Sequence, residues 1–255
     1  MMYRFKIVVP SFNSIDYLGK TLKSIEMQSD KGYDVCVIDD CSTIKEQRNI
    51  IKTFCERNHW DFLFNDRNYG ALHGMVQAIP RMHCQDDDVI VIVDGDDWLA
   101  HRDVLKSLRK IYNDSDVCLT WGQCEIVPRE AANAAKYAQP VSGMVIQQKL
   151  YRDIPFVFWH LGTFKYLLWK NIQDKDLRDE NGEYFRIMKD KATLYPMLEM
   201  AGDHIRYVDD VLYIYNMENP LNDYVNTPSD EHMRVDTLIR NKPRYETLRI
   251  GSKHE

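Results

Sequence analysis

Three carboxylates that follow an apolar run are the residues of this chain best suited to chemistry. Residues 89–93 are all β-branched, which predicts a strand buried on both faces of a parallel sheet. Asp94, Asp96 and Asp97 follow directly, and Gly95 between them allows a sharp turn and the close approach of a ligand. Three carboxylates at one point repel one another unless a cation or a ligand's donors offset their charge. Oxygen ligands of this kind suit Mg²⁺ or Mn²⁺, which often bridge to phosphates. An ordinary acidic turn is the alternative.

The elements around this segment predict an α/β fold. Apolar residues Ile15, Leu18, Leu22 and Ile25 recur at spacings of three, four and three, which indicates one face of a helix. Similar helical patterns alternate with strand-like runs at residues 5–9, 35–38, 61–64, 89–93 and 117–121. This alternation is typical of a mostly parallel central sheet with helices on both faces. Ligands of such sheets bind beyond the carboxyl ends of the strands.

Polar residues also follow each of the first three predicted strands. The three segments are Pro10-Ser11-Phe12-Asn13, Asp39-Asp40-Cys41-Ser42 and Asn65-Asp66-Arg67-Asn68-Tyr69-Gly70. Any one of them alone is weak evidence, and the Asp39-Asp40 pair by itself is more typical of a turn with a helix cap. Because parallel strands end at the same edge of a sheet, we expect all three to converge with residues 94–97.

The second half of the chain is less regular. Residues 128–151 are rich in Ala and Gln and are expected to be partly mobile, while residues 156–169 are rich in aromatic side chains. Residues 189–201 read as a helix, and residues 205–208 and 211–215 as two short strands. The polar chain from Asn226 onward is expected to be a surface extension or a frayed tail.

Composition excludes some classes of protein. The 255 residues carry a net charge of −6 and no long basic block, which argues against nucleic-acid binding. The six cysteines have no Cys-x-x-Cys pair, and two of them, Cys36 and Cys118, fall within predicted strands, so buried reduced thiols are favoured over disulfides or zinc ligands. There is no signal peptide pattern, and no apolar run approaches the length of an integral membrane segment. We expect a soluble, cytoplasmic protein, and the sequence gives no indication of its oligomeric state.

The strand-end motifs, taken in order, resemble those of family 2 glycosyltransferases, which have the Rossmann-like GT-A fold. The matching segments are Val8-Val9-Pro10-Ser11-Phe12-Asn13, Asp39-Asp40-Cys41-Ser42, Arg67-Asn68-Tyr69-Gly70 and Asp94-Gly95-Asp96-Asp97. The resemblance is strong over residues 3–125 and weaker to about residue 216. It implies a metal-dependent, inverting transferase that moves a sugar from a nucleoside-diphosphate donor of the UDP type to a hydroxyl of a carbohydrate or glycan-type acceptor.

The resemblance also implies roles for individual residues. The donor would be held by Pro10, Phe12, Asn13, Asp39, Asp40, Arg67, Asn68, Gly70, Asp94 and Gly95. Among these, Asp39 would hold the base, and Arg67 would assist the diphosphate unless it is simply an exposed loop residue. Asp96 would bind Mn²⁺ or Mg²⁺, with Asp94 beside it.

The segment that matches the catalytic base departs from the family pattern. Relatives carry a Glu-Asp pair at the start of a helix, whereas this chain has Lys189 followed by Asp190. Asp190 aligns with the base that deprotonates the acceptor, and lysine neighbours close to it should lower its pKa and weaken it as a base. The alternative is an acidic residue placed by the helix dipole.

A second departure lies near residue 218. Many relatives have a His there that helps to bind metal or diphosphate, whereas Glu218 falls near that position and offers an oxygen ligand or simply faces solvent. His160 falls where relatives contact acceptor or diphosphate, and packing beside Trp159 is its alternative.

The implied organisation is a single catalytic domain over residues 1–225, with a polar C-terminal extension at 226–255. Its nucleotide-sugar half covers about residues 1–125 and its acceptor half about residues 126–225. Two other functions stay open. A nucleotidyltransferase also uses a parallel sheet and carboxylate-bound Mg²⁺, although residues 8–18 lack the glycine-rich loop that such enzymes often carry. A binding module derived from a transferase would be consistent with Lys189.

Overall fold

One eight-stranded sheet organises the part of the chain that the structure, a computed structural model, describes: residues 3–113, 116–128 and 138–250. Its strands are β1 (Phe5–Ser11), β2 (Tyr33–Asp39), β3 (Asp61–Phe64), β4 (Val89–Ile92), β5 (Trp98–Leu99), β6 (Leu119–Val127), β7 (Thr163–Lys165) and β8 (Ile205–Asn216). The α-helices are α1 (Ile15–Glu26), α2 (Lys45–Asn58), α3 (Ala71–Arg81), α4 (Val104–Asn113), α5 (Gly143–Gln147), α6 (Tyr166–Trp169), α7 (Lys189–Ala201), α8 (Asp223–Asn226) and α9 (Ser229–Arg240).

The strand order is β3-β2-β1-β4-β7-β6-β8-β5. The first four strands of the chain pair in parallel, as do β6 and β8, whereas β7 runs antiparallel to both of its neighbours and β5 runs antiparallel to β8. The sheet is therefore mixed, with four parallel pairings out of seven among the described strands. In this register Ser11 pairs with Asp39, so the polar segments after β1 and β2 leave the sheet at the same edge.

Two apolar clusters explain why the helices cover both faces. Alternate residues of β1 point to opposite faces, so Val8 packs with α3 and α7 while Val9 packs with α1, α2 and α4. Both clusters consist of buried, mostly aliphatic and aromatic side chains, as a sheet buried between two helical layers requires. The predicted α/β fold is confirmed.

The later strands differ from the sequence expectation. The two short strands predicted at residues 205–208 and 211–215 form one strand, β8, which runs through the exposed pair Asp209 and Asp210. The register of β8 against β6 shifts around Gln123, and this irregularity lets the polar pair pass without ending the strand. Part of the segment expected to be mobile, residues 129–137, lies outside the described residues, and residues 143–147 form α5.

The expectation of a frayed tail after Asn226 is wrong for residues 229–240. They form α9, whose Val235 and Ile239 are buried in the same apolar cluster as α7. The polar composition of this segment conceals an amphipathic helix, because its apolar residues are four apart. No helix in the described ranges is both long and apolar enough to cross a bilayer.

A buried ion pair fastens the C-terminal segment to α7. The Arg152 guanidinium donates to Glu199 at 2.6 and 2.9 Å, and both side chains are almost fully buried. The same guanidinium donates to the carbonyl oxygens of Ile239 and Lys242 at 3.0 and 2.9 Å. The backbone N–H of Tyr245 also donates to Glu199, so one carboxylate organises three parts of the chain.

We predict that Arg152→Met lowers the free energy of unfolding by about 3–5 kcal/mol, because it leaves the Glu199 carboxylate buried without its counter-ion. Urea unfolding measures this loss. The matched control is Arg244→Met, which removes an ion pair to Asp153 that is about half exposed and should cost at most about 1 kcal/mol. Equal, small losses in both variants would contradict the prediction.

Candidate active site

A cavity of about 870 Å³ opens at the carboxyl edge of β1, β2 and β4, a volume typical of a small-molecule site. The first turn of α7 lines its opposite side. The sequence-predicted residues that line it are Pro10, Phe12, Asp40, Asn68, Gly70, Asp94, Gly95, Asp96, His160 and Asp190. The predicted convergence of four strand-end segments is thus present in the structure.

The acidic loop after β4 is held tightly against β1. The Gly95 N–H donates to the Pro10 carbonyl oxygen at 2.9 Å, and a Cβ added at Gly95 would lie 2.7 Å from the Ser11 Cβ. The Thr21 hydroxyl lies within hydrogen-bonding distance of two loop carbonyls, those of Gly95 and Asp97. Glycine is required here because the backbones approach too closely for any side chain.

Asp97 also borders the cavity, but its carboxylate fastens the acidic loop to β8. Its two carboxylate oxygens accept hydrogen bonds from the Tyr213 hydroxyl at 2.8 Å and the Asn216 N–H at 2.7 Å. Burial, followed by the charges of Asp96 and Asp94, raises the pKa of Asp97 well above its usual range. The third carboxylate of the motif is therefore a structural anchor.

Among the described residues, no lysine or arginine is in salt-bridge contact with Asp96, whereas Asp94 has the Lys189 ammonium at 2.9 Å. One of its oxygens accepts a hydrogen bond from the Asn219 amide at 2.7 Å. Burial and the nearby charge of Asp94 raise the pKa of Asp96, which shows that its negative charge is poorly offset by the protein. A cation near this carboxylate would relieve that imbalance.

The expected oxygen ligand Glu218 does not reach this carboxylate. Glu218 is exposed and is not among the residues that line the cavity, whereas the next residue, Asn219, is buried against Asp96. The Asn216 side-chain oxygen accepts the Glu218 N–H, and this turn directs Asn219 inward. Asn219 is not marked in the sequence, because the geometry of this turn decides which of two adjacent residues points inward.

A lysine and two carboxylates meet on the α7 side of the cavity. Lys189 Nζ lies 2.9 Å from Asp94 Oδ2 and 3.8 Å from Asp190 Oδ1. Burial opposes the charged form of Lys189, but the charges of Asp190 and Asp94 outweigh it and raise the pKa of Lys189. Burial is the largest influence on Asp190 and opposes its ionisation, but Lys189 and His160 together outweigh it and lower the pKa of Asp190, as the lysine neighbours led us to expect. Asp190 is therefore ionised at neutral pH and can accept a proton.

Asp39 does not line the cavity. It is fully buried and accepts hydrogen bonds from Arg48 Nε at 2.7 Å and Gln47 Nε2 at 3.1 Å, and also from the Ser42 N–H. Its oxygens are used to shape the loop after β2, and a contact between Asp39 and a base stays a prediction. Its neighbour Asp40 lines the cavity instead, because successive residues at a strand end point to opposite sides.

Two other predicted donor contacts also lie outside the residues that line the cavity. The Asn13 side-chain oxygen accepts the Thr43 N–H at 2.8 Å and so joins two loops. Arg67 is exposed and its guanidinium lies 4.4 Å from the centre of the Tyr69 ring, as the alternative of an exposed loop residue expected. Asn13 and Arg67 thus contact residues of the surrounding loops and do not line the cavity.

The wall that Asp40 forms includes a basic residue that the sequence analysis missed. The Asp40 carboxylate accepts the N–H groups of Tyr69 and Gly70 and the Asn65 amide, which fixes the loop after β3. Arg186 donates to the Asn68 carbonyl oxygen at 3.3 Å and lines the cavity at the same place. No local pattern marks Arg186, since it reaches the site from a segment 118 positions away.

The remaining wall is aromatic. Phe156, Phe158, Trp159 and Phe164 line it, and all of them come from the segment that the sequence marked as rich in aromatic residues. His160 stacks on Tyr213 with ring centres 4.8 Å apart, and burial lowers its pKa, which favours the neutral imidazole. The cavity thus has the acidic loop and Lys189 on one side and an aromatic wall on another.

The sequence matches the family model described as Glycosyl transferase family 2 over residues 6–171, which is well over half of the chain. The chain belongs to this family.

Curated relatives of this glycosyl transferase family 2 chain match over part of its length. A putative colanic acid biosynthesis glycosyl transferase, WcaA of Escherichia coli K12, is 29% identical over 120 residues, which cover 44% of this chain and 42% of WcaA. The glycosyltransferase GlyA of Streptococcus pneumoniae serotype 4 is 29% identical over 107 residues, 42% of this chain and 15% of GlyA. The matched segments thus span less than half of either relative.

Solved structures share the fold of this family member. TarS of S. aureus in complex with UDP-GlcNAc superposes with a TM-score of 0.64 at 18% identity, over 95% of this chain and 68% of the other. The mannosyltransferase PcManGT of Pyrobaculum calidifontis, in complex with GDP-Man and Mn²⁺, gives a TM-score of 0.61 at 17% identity, over 96% and 66% of the two chains. At these identities the likeness establishes a GT-A fold.

The donor set of this family 2 site fits a divalent cation that is completed by a ligand. Asp94 and Asp96 are the carboxylates available, and no group of three His, Cys, Asp or Glu side chains is arranged for a metal within the described ranges. Magnesium-like ions are commonly held by one or two carboxylates together with substrate phosphates and water. A metal in this cavity would therefore need oxygen atoms from the ligand.

We predict that Gly95→Ala lowers the free energy of unfolding by about 1–3 kcal/mol, because the added methyl group forces the acidic loop away from Ser11. The matched control is Gly19→Ala in α1, where nothing lies within 4 Å of the added Cβ and a gain of about 0.5–1 kcal/mol is expected. Thermal unfolding of both variants measures the difference. A Gly95→Ala protein as stable as the wild type would contradict the close packing of this loop.

Proposed function

We propose that this chain is a metal-assisted, inverting glycosyltransferase that uses a nucleoside-diphosphate sugar, of the UDP type, and a carbohydrate or glycan-type acceptor. The observation that carries the proposal is the position of Asp96, a poorly compensated carboxylate, in one cavity with Asp190. Asp96 would hold the cation that stabilises the charged leaving group, and Asp190 would accept the proton of the acceptor hydroxyl. Glycosyl transfer to a hydroxyl needs both functions.

The donor's nucleoside would lie against the wall formed after β1, β2 and β3. Pro10 and Phe12 offer apolar surface for a base, and Asp40 and Asn68 offer polar atoms at the same wall. Support for a nucleoside-diphosphate sugar comes from the two structural neighbours, which hold UDP-GlcNAc and GDP-Man. UDP is preferred on the sequence resemblance, in which Asp39 holds the base and Asp40 belongs to the same donor-binding set.

The donor's diphosphate would lie at the acidic loop. Asp96 would hold Mn²⁺ or Mg²⁺ with Asp94 beside it, and the ion would supply positive charge to the departing nucleoside diphosphate. The loop itself is preorganised, because Asp97 is held by Tyr213 and Asn216 before any ligand arrives. A fixed loop places the Asp96 carboxylate without further reorganisation when charge develops.

Asp190 would act as the general base. Its side chain is 42% exposed and lines the cavity, so an acceptor hydroxyl can approach it. As the acceptor oxygen forms its bond to the anomeric carbon from the face opposite the diphosphate, the bond to the phosphate oxygen breaks and the hydroxyl proton passes to Asp190. The aromatic wall from residues 156–164 would hold the acceptor during this step.

A binding module with weakened catalysis is the second candidate, and one observation favours it. Lys189 lowers the pKa of Asp190, which reduces the strength of that base. Hydrolysis or transfer of a donor by the purified protein separates the two candidates, since a binding module would bind the donor without turning it over.

The division of the chain into a nucleotide-sugar half and an acceptor half stays a prediction.

We predict that Asp96→Asn abolishes the stabilisation that Mn²⁺ adds to nucleotide-sugar binding while leaving the fold intact, because the amide keeps the volume but lacks the charge. The measurement is a thermal-shift screen with UDP-, GDP- and dTDP-sugars with and without Mn²⁺. Ligand at about 100 times its Kd should stabilise the wild type by about 2.7 kcal/mol.

The matched control for this screen is Glu218→Gln, which removes a carboxylate that is exposed outside the cavity and should leave the shift unchanged. An Asp96→Asn protein that still responds to Mn²⁺ like the wild type would remove Asp96 from the metal site. A wild-type protein that responds to none of the donors would count against the proposed function itself.

We also predict that Asp190→Asn lowers kcat by about 10²–10⁴-fold, the usual contribution of a general base. Donor affinity should stay close to that of the wild type, since the acidic loop and the nucleoside wall are untouched. Steady-state kinetics with an active acceptor and titration calorimetry with the donor measure the two quantities. Asp203→Asn, which alters an 89% exposed side chain just beyond the end of α7, is the control. Normal kcat in Asp190→Asn would transfer the role to another group.

A further inference from the structure

Lys189 places a fixed positive charge inside the donor cavity. It is the first residue of α7, its side chain is only 16% exposed, and its ammonium lies 2.9 Å from Asp94 Oδ2. The family resemblance gives a Glu at this position, so this chain replaces a negative charge by a positive one. The change therefore departs from the family pattern and concerns the atoms that face the acidic loop.

The charge is not duplicated by the other cations of the cavity wall. Arg186 is engaged with Asn68, and Lys191 forms an ion pair with Asp236 at 2.6 Å. Within the described residues, Lys189 is the one lysine or arginine in salt-bridge contact with Asp94 or Asp190. It is thus the cation closest to the place where the proposed function puts a diphosphate.

The chemistry of an ammonium group suits that place. It has three donors, of which Asp94 uses one, so it can hold a carboxylate and a phosphate oxygen at the same time. The first turn of α7 also lines the cavity, and the positive end of a helix adds a favourable potential for an anion. Both contributions act before any metal ion is present.

We propose that Lys189 is a phosphate-binding residue that lets this protein bind a nucleoside diphosphate without a divalent cation. The inference rests on the proposed function, because it takes the diphosphate to lie at the acidic loop. The ammonium neutralises Asp94 and donates to the diphosphate, and a metal ion at Asp96 then adds to binding that already exists.

Titration calorimetry with UDP, and with GDP in parallel, tests this proposal in EDTA and in Mn²⁺. We expect wild-type protein to bind one of the two nucleotides in EDTA with an affinity within about tenfold of that in Mn²⁺. Lys189→Met should lose about tenfold or more of the affinity in EDTA, the effect of one hydrogen bond to a charged group. The loss should be smaller in Mn²⁺, where the metal supplies charge independently.

Two further variants separate a phosphate contact from a structural role. Lys189→Arg keeps the charge and should retain most of the binding in EDTA. Lys170→Met removes the same charge from a surface pair with Asp86 and should bind like the wild type. A Lys189→Met protein that loses affinity equally in EDTA and Mn²⁺ would show that the lysine only maintains the cavity, and would overturn the inference.

The remaining outcomes distinguish the inference from the function on which it rests. Wild-type binding that requires Mn²⁺ would overturn the role of Lys189 and leave the proposed function standing. If Lys189→Met binds the nucleotide in EDTA as well as the wild type does, the role of Lys189 is likewise overturned and the proposed function stands. Failure of the wild type to bind UDP or GDP under both conditions would overturn the inference and the proposed function together.

Discussion

The repulsion among three carboxylates at the end of β4 is the constraint on which the rest of the site depends. Asp94, Asp96 and Asp97 lie within four residues, and each finds a different form of compensation. Tyr213 and Asn216 of β8 hold Asp97, the Asn219 amide holds Asp96, and the Lys189 ammonium holds Asp94. Burying charge is costly unless it is paired or hydrogen-bonded, so these partners make the acidic loop possible.

All of these partners come from the second half of the chain, which explains how the two halves form one site. β8 continues past Tyr213 to Asn216 and the following turn, which brings Asn219 to the acidic loop. Lys189 is the first residue of α7, and the buried ion pair between Arg152 and Glu199 of α7 holds this helix in place. The irregular half thus supplies the groups that stabilise an acidic loop built by the regular half.

The sequence predicted the first half well because its signals are local. The residue pattern of a strand buried on both faces, or of an amphipathic helix, is recognisable within about ten residues. The alternating order of these elements then places the carboxyl ends of the strands at one edge of the sheet. The errors were single-residue errors of orientation. Asp39 and Asp40 were both expected at the donor site, and only Asp40 lines the cavity, because successive residues at a strand end point in opposite directions. In the second half, Asn219 lines the cavity where Glu218 was expected, because the turn directs only one of these neighbours inward.

The second half was harder to predict because its structure depends on tertiary contacts. Packing of α9 against α7, the union of two short strands into β8 and the contact between Arg186 and Asn68 all join distant residues. Lys189 is the exception, since its departure from the family pattern is visible in the sequence alone. Only the structure shows that its ammonium reaches Asp94.

The most direct test of the account is a crystal structure of the protein soaked with UDP and Mn²⁺, with anomalous scattering used to locate the ion. We expect a manganese peak within about 2.5 Å of an Asp96 carboxylate oxygen and a diphosphate between that peak and Lys189. A nucleotide bound outside the cavity, or a manganese ion that does not contact Asp96, would contradict the account.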